Sequence, residues 1–321
     1  MYSNIARSDG YKRSLLDFIS FEYGLSGVSL TPAQRGFYGE TWRLDVAQGM
    51  NEADSPGSSG VSEVSYFVKL VYAFEHKDTY RRSFPVMHHL WEHGVDFISR
   101  VVAARDGRLF TEFDGAILGV FDWIEGELIE TDATKIPEYQ MLAKVYTVPA
   151  CGLDVPREDF SGGSSDVFFE QWGVLDDKTL LSLLEKNRGK IEHRAERLKH
   201  FAVLCRENIG DFFITHGDAG GNFIANGDKH FIVDWDNPVL APPERDAWVM
   251  CSKDWAREAF EDALRQNGIS YTLRTGRLAY YCYWFFFYYL TAFLDASADA
   301  KTVEEYLDGW IKDSISYCDL L

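Results

Sequence analysis

Two stretches near the start of the chain, GETWRLDV at 39–46 and VSYFVKLVY at 64–72, are dense in β-branched and aromatic residues and predict strands. Between them Asn51 to Gly60, NEADSPGSSG, is polar and rich in Ser, Gly and Pro, which predicts a loop joining antiparallel partners. From Thr79 to His93 apolar residues recur at helical spacing, and Gly94 is a suitable stop. Pro85 suits a first helical turn and would start that helix later. Further strands are expected at Ile98 to Ala103 and Ala116 to Trp123, around a turn at Asp106 to Arg108. After Gly126 the pattern is mostly helical, interrupted by FSGGSSD at Phe160 to Asp166, which reads as a surface loop. A strand-rich first third followed by a helical remainder is the segregated order of an α+β protein and argues against a doubly wound βαβ arrangement.

The run Leu278 to Leu294, LAYYCYWFFFYYLTAFL, carries no charge and approaches membrane-spanning length. Tyr and Trp pervade its centre instead of collecting at its ends, so a buried helix of a large helical lobe is the expectation. The 321 residues are 46% hydrophobic and 15% aromatic, enough for a substantial core. Fifty acidic against 32 basic residues give a formal charge of -18, which repels nucleic acid and anionic lipid but attracts a cationic small molecule. Five scattered cysteines without C-x-x-C spacing suggest neither a disulfide framework nor a zinc site. The first residues lack the apolar core of a signal peptide, so a cytoplasmic, reducing location is expected.

The chemistry concentrates in ITHGDAGGNFIANGDKHFIVDWDNPVLAPPERD, Ile214 to Asp246. His216-Gly217-Asp218 follows an apolar segment, Asn222 comes soon after, and a short hairpin turning at Gly227-Asp228 ends at Asp234. Phosphoryl transfer asks little of a protein: a group to orient the attacking hydroxyl, ligands for Mg²⁺, and cations on the phosphates. Asp218 suits the first task, Asn222 and Asp234 the second. Lys69 is a solitary cation on an apolar strand, unexpected unless its ammonium meets an anion. Asp236 can serve the metal, the acceptor or a turn.

HGD-x-x-x-N followed by IVDWD resembles the catalytic and metal-binding loops of the aminoglycoside phosphotransferase family, relatives of protein kinases, and LAPPERD resembles the branch that contains spectinomycin phosphotransferases. The resemblance implies a two-lobed protein-kinase-like fold: a small β-rich nucleotide-binding lobe over 1–120, a hinge over 121–126, and a larger, mainly helical lobe over 127–321 with the catalytic loop and acceptor site. It implies Asp218 as the residue accepting the hydroxyl proton, Asn222 and Asp234 as magnesium ligands, and His216 and Asp246 as supports of the catalytic loop. Lys69 matches the phosphate-binding lysine, Gly36 and Gly39 stand where a loop covers the phosphates, and the backbone of Asp122, Trp123 and Ile124 stands where the hinge meets the base. The cofactors implied are ATP or GTP with Mg²⁺. Two departures stand out. Three residues separate Asp218 from Asn222 where the family usually has four, and the helix after Lys69 lacks the expected carboxylate partner, with Glu75, Asp78 and Glu92 as unranked substitutes.

The acceptor is expected to be a cationic small molecule, an aminoglycoside or aminocyclitol antibiotic first. Asp254, Glu258, Glu261 and Asp262 recur at near-helical spacing, and Trp255, Tyr280, Tyr281, Trp284 and Tyr288 are candidates to stack on a sugar or cyclitol. Kinases of choline, ethanolamine, homoserine or sugars share these motifs. A nucleotide-binding pseudokinase fits the shortened loop, and a metal-dependent hydrolase ranks last because the eight histidines show no ligand-like pairing.

Overall fold

The computed structural model describes residues 7–33, 39–47, 63–207, 209–310 and 312–321. They form two compact units: 1–129 with 152–155 and 222–238, and 130–151 with 156–221 and 239–321.

The first unit opens with α1 (Asp9–Tyr23), started by Ser8, whose Oγ accepts the Tyr11 N–H, and ended at Gly24. Strands β1 (Gly27–Pro32), β2 (Gly39–Ala47) and β3 (Glu63–Val71) lead to α2 (Phe74–Glu92), then β4 (Thr111–Phe113), β5 (Ala116–Asp122) and β6 (Glu127–Leu128). The sheet order is β1-β2-β3-β5-β4, antiparallel throughout. Leu15 and Ile19 of α1 pack with Leu44, Val68, Leu70 and Leu118 into its core, each burial contributing roughly 1.5–3 kcal/mol. Val68 and Leu70 face that core, so strand alternation turns Lys69 to the other face.

The sequence marked α2 and the central strands but missed α1, β1 and β4. The loop expected at Asn51 to Gly60 lies outside the described residues, while the strands flanking it pair from Gly39↔Val71 to Ala47↔Glu63. Pro85 sits inside α2, not at its start; buried Tyr80, Phe84, Met87 and Leu90 hold the helix through it. The strand expected at Ile98 to Ala103 reduces to one bridge, Val101↔Phe121.

The second unit holds α3 (Asp132–Val145), α4 (Gly163–Val174), the 30-residue α5 (Lys178–Glu207), β7 (Phe213–Thr215) and, after the chain has returned to the first unit for β8 (Phe223–Asn226) and β9 (Lys229–Ile232), β10 (Val239–Ala241). Then come α6 (Glu244–Ala247), α7 (Asp254–Gln266), α8 (Thr275–Asp295), α9 (Ala300–Glu305) and α10 (Lys312–Asp319). The uncharged run is α8, whose Leu278–Tyr283 and Phe285–Phe287 are buried against α4 and α5. No helix among the described residues is long and apolar enough to cross a membrane. FSGGSSD is not a surface loop: Phe160 is fully buried, and Gly163 already begins α4.

Residues 222–238, which the sequence grouped with the helical part, cluster with the first unit because β8 pairs with β6 (Glu127↔Ala225, Leu128↔Ile224) as well as with β9.

Candidate active site

In the first unit, β3, α2 and the end of β9 bring four side chains together. Lys69 Nζ lies 3.0 Å from Asp234 Oδ1 and 2.5 Å from Asp236 Oδ2, across more than 160 residues of sequence. Trp235, between the two acids, is buried with its indole N–H on the Ile232 carbonyl at 2.9 Å. Asp234 has φ +65, a left-handed conformation that Asp tolerates better than most residues. Burial opposes the Lys69 charge, but the Asp234 and Asp236 carboxylates outweigh it and hold the ammonium well above lysine's ordinary pKa. One cation facing two acids leaves a net negative charge. Burial and the Asp234 charge accordingly push the Asp236 carboxyl up to about 7.

The α2 residue that meets this cluster is Tyr80, which sequence reasoning missed. Its hydroxyl donates to Asp236, and Lys69 Nζ stands 4.9 Å from its ring centroid. Asp78 instead pairs with Arg81 at 2.8 Å, Glu92 is exposed at the helix end, and the Glu75 side chain lies outside the described residues.

The other nucleotide candidates divide. Gly36 lies outside the described residues. Gly39 begins β2 so close to β3 that a Cβ there would stand 1.7 Å from the Leu70 carbonyl oxygen, so strand packing alone requires a glycine. The Asp122 carboxylate is paired with Arg100 at 2.8 and 3.2 Å, its N–H donates to the Arg100 carbonyl, and its own carbonyl accepts Ser99 Oγ at 2.6 Å. The Trp123 N–H donates to the Ser65 carbonyl. Ile124 alone of the three has neither backbone group bonded among the described residues. The Asn222 carbonyl accepts the Val233 N–H at 3.0 Å, tying the start of β8 to the segment that carries Asp234.

In the second unit, the Asp246 carboxylate accepts the His216 N–H at 3.1 Å, the Gly217 N–H, and the Tyr146 hydroxyl at 2.7 Å. His216 Nδ1 accepts the Asp218 N–H at 3.1 Å, so a neutral ring carries its proton on Nε2. Arg245 reaches beneath the loop to Thr215 Oγ1 at 3.0 Å. Asp218 itself accepts the Tyr289 hydroxyl at 2.8 Å. Tyr289 on α8 is a second residue sequence reasoning missed; burial pushes its pKa up, so it stays protonated as a donor.

The acceptor candidates scatter. Glu261 accepts the Leu273 N–H at 3.0 Å and Asp262 pairs with Arg265, whereas Asp254 and Glu258 are exposed on α7. Tyr280 and Tyr281 are buried, with both hydroxyls on Glu158. Trp284 and Tyr288 stack at 5.3 Å, and Tyr288 and Trp255 remain partly exposed.

No set of three or more His, Cys, Asp or Glu among the described residues is arranged as a metal cage. Two carboxylates in charge excess and an amide are nonetheless hard oxygen donors of the kind that hold Mg²⁺ together with water and substrate phosphates.

Residues 56–281 match the family model described as the phosphotransferase enzyme family. No curated protein matches the sequence. Among solved structures, spectinomycin phosphotransferase APH(9)-Ia in complex with ADP and spectinomycin aligns with a TM-score of 0.71 at 15% identity, over 95% of this chain and 98% of that one. Amicoumacin kinase in complex with AMP-PNP, Ca²⁺ and Ami aligns at 0.60 and 14% identity over 100% and 96%. Choline kinase from Cryptosporidium parvum aligns at 0.58 and 10% identity over 92% and 90%. The α+β fold is therefore that of kinase-like phosphotransferases, with a β-rich amino-terminal part and a helical remainder.

Proposed function

The chain belongs to the phosphotransferase enzyme family, and from that premise we propose that it transfers the γ-phosphoryl group of ATP or GTP to a hydroxyl of a cationic small molecule, first of all an aminoglycoside or aminocyclitol antibiotic. The observation that carries this reading is the cluster of Lys69 with Asp234 and Asp236, charged groups from distant parts of the sequence gathered on one face of the first unit.

Asp218 orients the acceptor hydroxyl and takes its proton as that oxygen bonds to the γ-phosphorus, while the bond to the bridging oxygen breaks and the nucleoside diphosphate leaves. Tyr289 and the His216 ring fix Asp218, and Asp246 holds the loop from which it projects. Lys69 neutralises phosphate charge, and the backbone N–H and C=O of Ile124 receive the edge of the base. Asp234, with Asn222 and Asp236, would hold Mg²⁺, which when bound draws charge from the phosphate oxygens. The formal charge of -18 and the exposed Asp254 and Glu258 favour a cationic acceptor.

The test is Mg²⁺-dependent ADP or GDP release across spectinomycin, several aminoglycosides, choline and homoserine. Release stimulated by one acceptor and abolished in Asp218→Ala, with nucleotide binding intact, is the expected result. Full turnover in Asp218→Ala would sink the assignment. Nucleotide binding with no stimulated release would favour a pseudokinase or an acceptor outside the panel.

A further inference from the structure

Lys135 and Glu138 of α3 are 5% and 2% exposed, burial that these residue types rarely undergo unless paired. They form an ion pair of 2.9 Å, with Glu130 Oε1 4.0 Å from the same ammonium. Lys135 sits just inside the start of α3, where Thr131 and Thr134 cap each other and fix the helix end, and Glu138 lies nearly one turn further on. The pair abuts the loop that follows Asp218. A Cβ on Gly220 would stand 3.5 Å from Lys135 Nζ and 3.8 Å from Glu130 Oε1, and one on Gly221 would stand 3.8 Å from Glu130 Oε2.

The loop is held at its start and passes beside this pair further on. Asp246 grips its start through the N–H groups of His216 and Gly217. Its glycines run over a buried ammonium, with no side chain to push it aside. Stability alone does not account for such a pair, because buried ion pairs are often replaceable by apolar residues of like volume without loss.

Resting on the phosphotransfer reading, we propose that Lys135, held by Glu138, is a positioning residue for the reaction: its ammonium fixes the path of Ala219-Gly220-Gly221 and so sets where Asp218, at the head of that tripeptide, presents its carboxylate.

The test is the double variant Lys135→Met/Glu138→Leu in the full chain, which removes both charges and keeps the volume. Its thermal midpoint should stay close to that of the wild type. Amide hydrogen exchange over Gly217 to Gly221 should speed up by about tenfold, kcat should fall by a similar factor, and nucleotide affinity should hold within about twofold. Gly220→Leu, which leaves the pair intact and crowds the ammonium from the loop side, should give the same signature and serves if the double variant does not fold. Wild-type exchange and kcat in a folded variant overturn the proposal. A wild-type protein that phosphorylates no acceptor sinks the phosphotransfer reading, and the exchange measurement then still decides whether Lys135 positions the loop.

Discussion

The Lys69 ammonium lies 4.9 Å from the centroid of the Tyr80 ring, on a residue whose hydroxyl donates to the same Asp236 that Lys69 pairs with. An aromatic face attracts a cation without neutralising it, at about 0.5–2 kcal/mol depending on desolvation. A carboxylate in this place would add a third negative charge to a cluster that already holds two. Tyrosine steadies both partners and leaves the charge balance unchanged.

Tyr80→Phe keeps the ring and loses only the hydroxyl, so nucleotide affinity should fall by no more than about threefold, while Tyr80→Leu should weaken it by about tenfold. Nucleotide titration at fixed Mg²⁺ reads both. Equal losses in the two variants would show that the hydroxyl, not the ring, supports the site.

The edge of the sheet carries a different charge device. Asp45 on β2 accepts Ser29 Oγ at 2.7 Å, Arg43 Nε at 2.9 Å and Ser65 Oγ at 2.8 Å, so one carboxylate ties three strands. The Ser29 hydroxyl first, then Arg43, hold its pKa below the usual carboxylate value. A lowered folded-state pKa means the contribution is present above the unfolded-state value and disappears as pH falls through the folded one. Asp45→Asn should therefore lower the thermal midpoint at neutral pH, and the gap from the wild type should close as pH falls below the ordinary carboxylate range. Thermal melts followed by circular dichroism across that range measure it, and a gap that widens in acid would contradict the assignment.

What the sequence disclosed follows from how each residue type advertises itself. HGD, Asn222 and the IVDWD acids are polar residues set in apolar strand ends, and Lys69 is a charge inside VSYFVKLVY. Each breaks a pattern and could be found. Tyr80 and Tyr289 continue the aromatic stripe of their helices, so nothing in the periodicity separates them from core residues until the hydroxyl is seen on Asp236 or Asp218. Lys135 and Glu138 are hidden the opposite way, since Lys and Glu three apart on a helix read as a solvated pair. Of the acidic residues on α7, Glu261 and Asp262 have local partners, which spacing could not reveal. The segment at 160–166 failed because Ser and Gly suggest a loop, whereas Phe160 is buried and Gly162 caps α4.

Gly217 joins the catalytic loop to its support by having no side chain. Its φ is +87, and a Cβ would come within 2.3 Å of the buried Arg245 guanidinium. Gly217→Ala should cost at least about 1–2 kcal/mol from backbone strain alone, before Arg245 is displaced. A lowered thermal midpoint together with lost turnover is expected, and Arg245→Lys should recover part of the stability by withdrawing the crowding group. No recovery would place the whole cost in the backbone.

Tyr289 offers the cleanest separation of orientation from binding. Its ring stacks on Phe285 at 5.8 Å and 28°, so Tyr289→Phe can leave packing on α8 in place while removing the hydroxyl that donates to Asp218. The lost hydrogen bond engages a carboxylate and is worth about 1.5–3 kcal/mol at most, part of which solvent restores. If that bond serves to aim Asp218 at the acceptor hydroxyl, kcat should fall by about tenfold, with the KM for nucleotide unchanged and the thermal midpoint near that of the wild type. Steady-state kinetics with each substrate varied in turn distinguishes the outcomes. A rise in nucleotide KM at constant kcat would move Tyr289 out of the transfer step, and wild-type kinetics would leave the His216 contact as the group that holds Asp218.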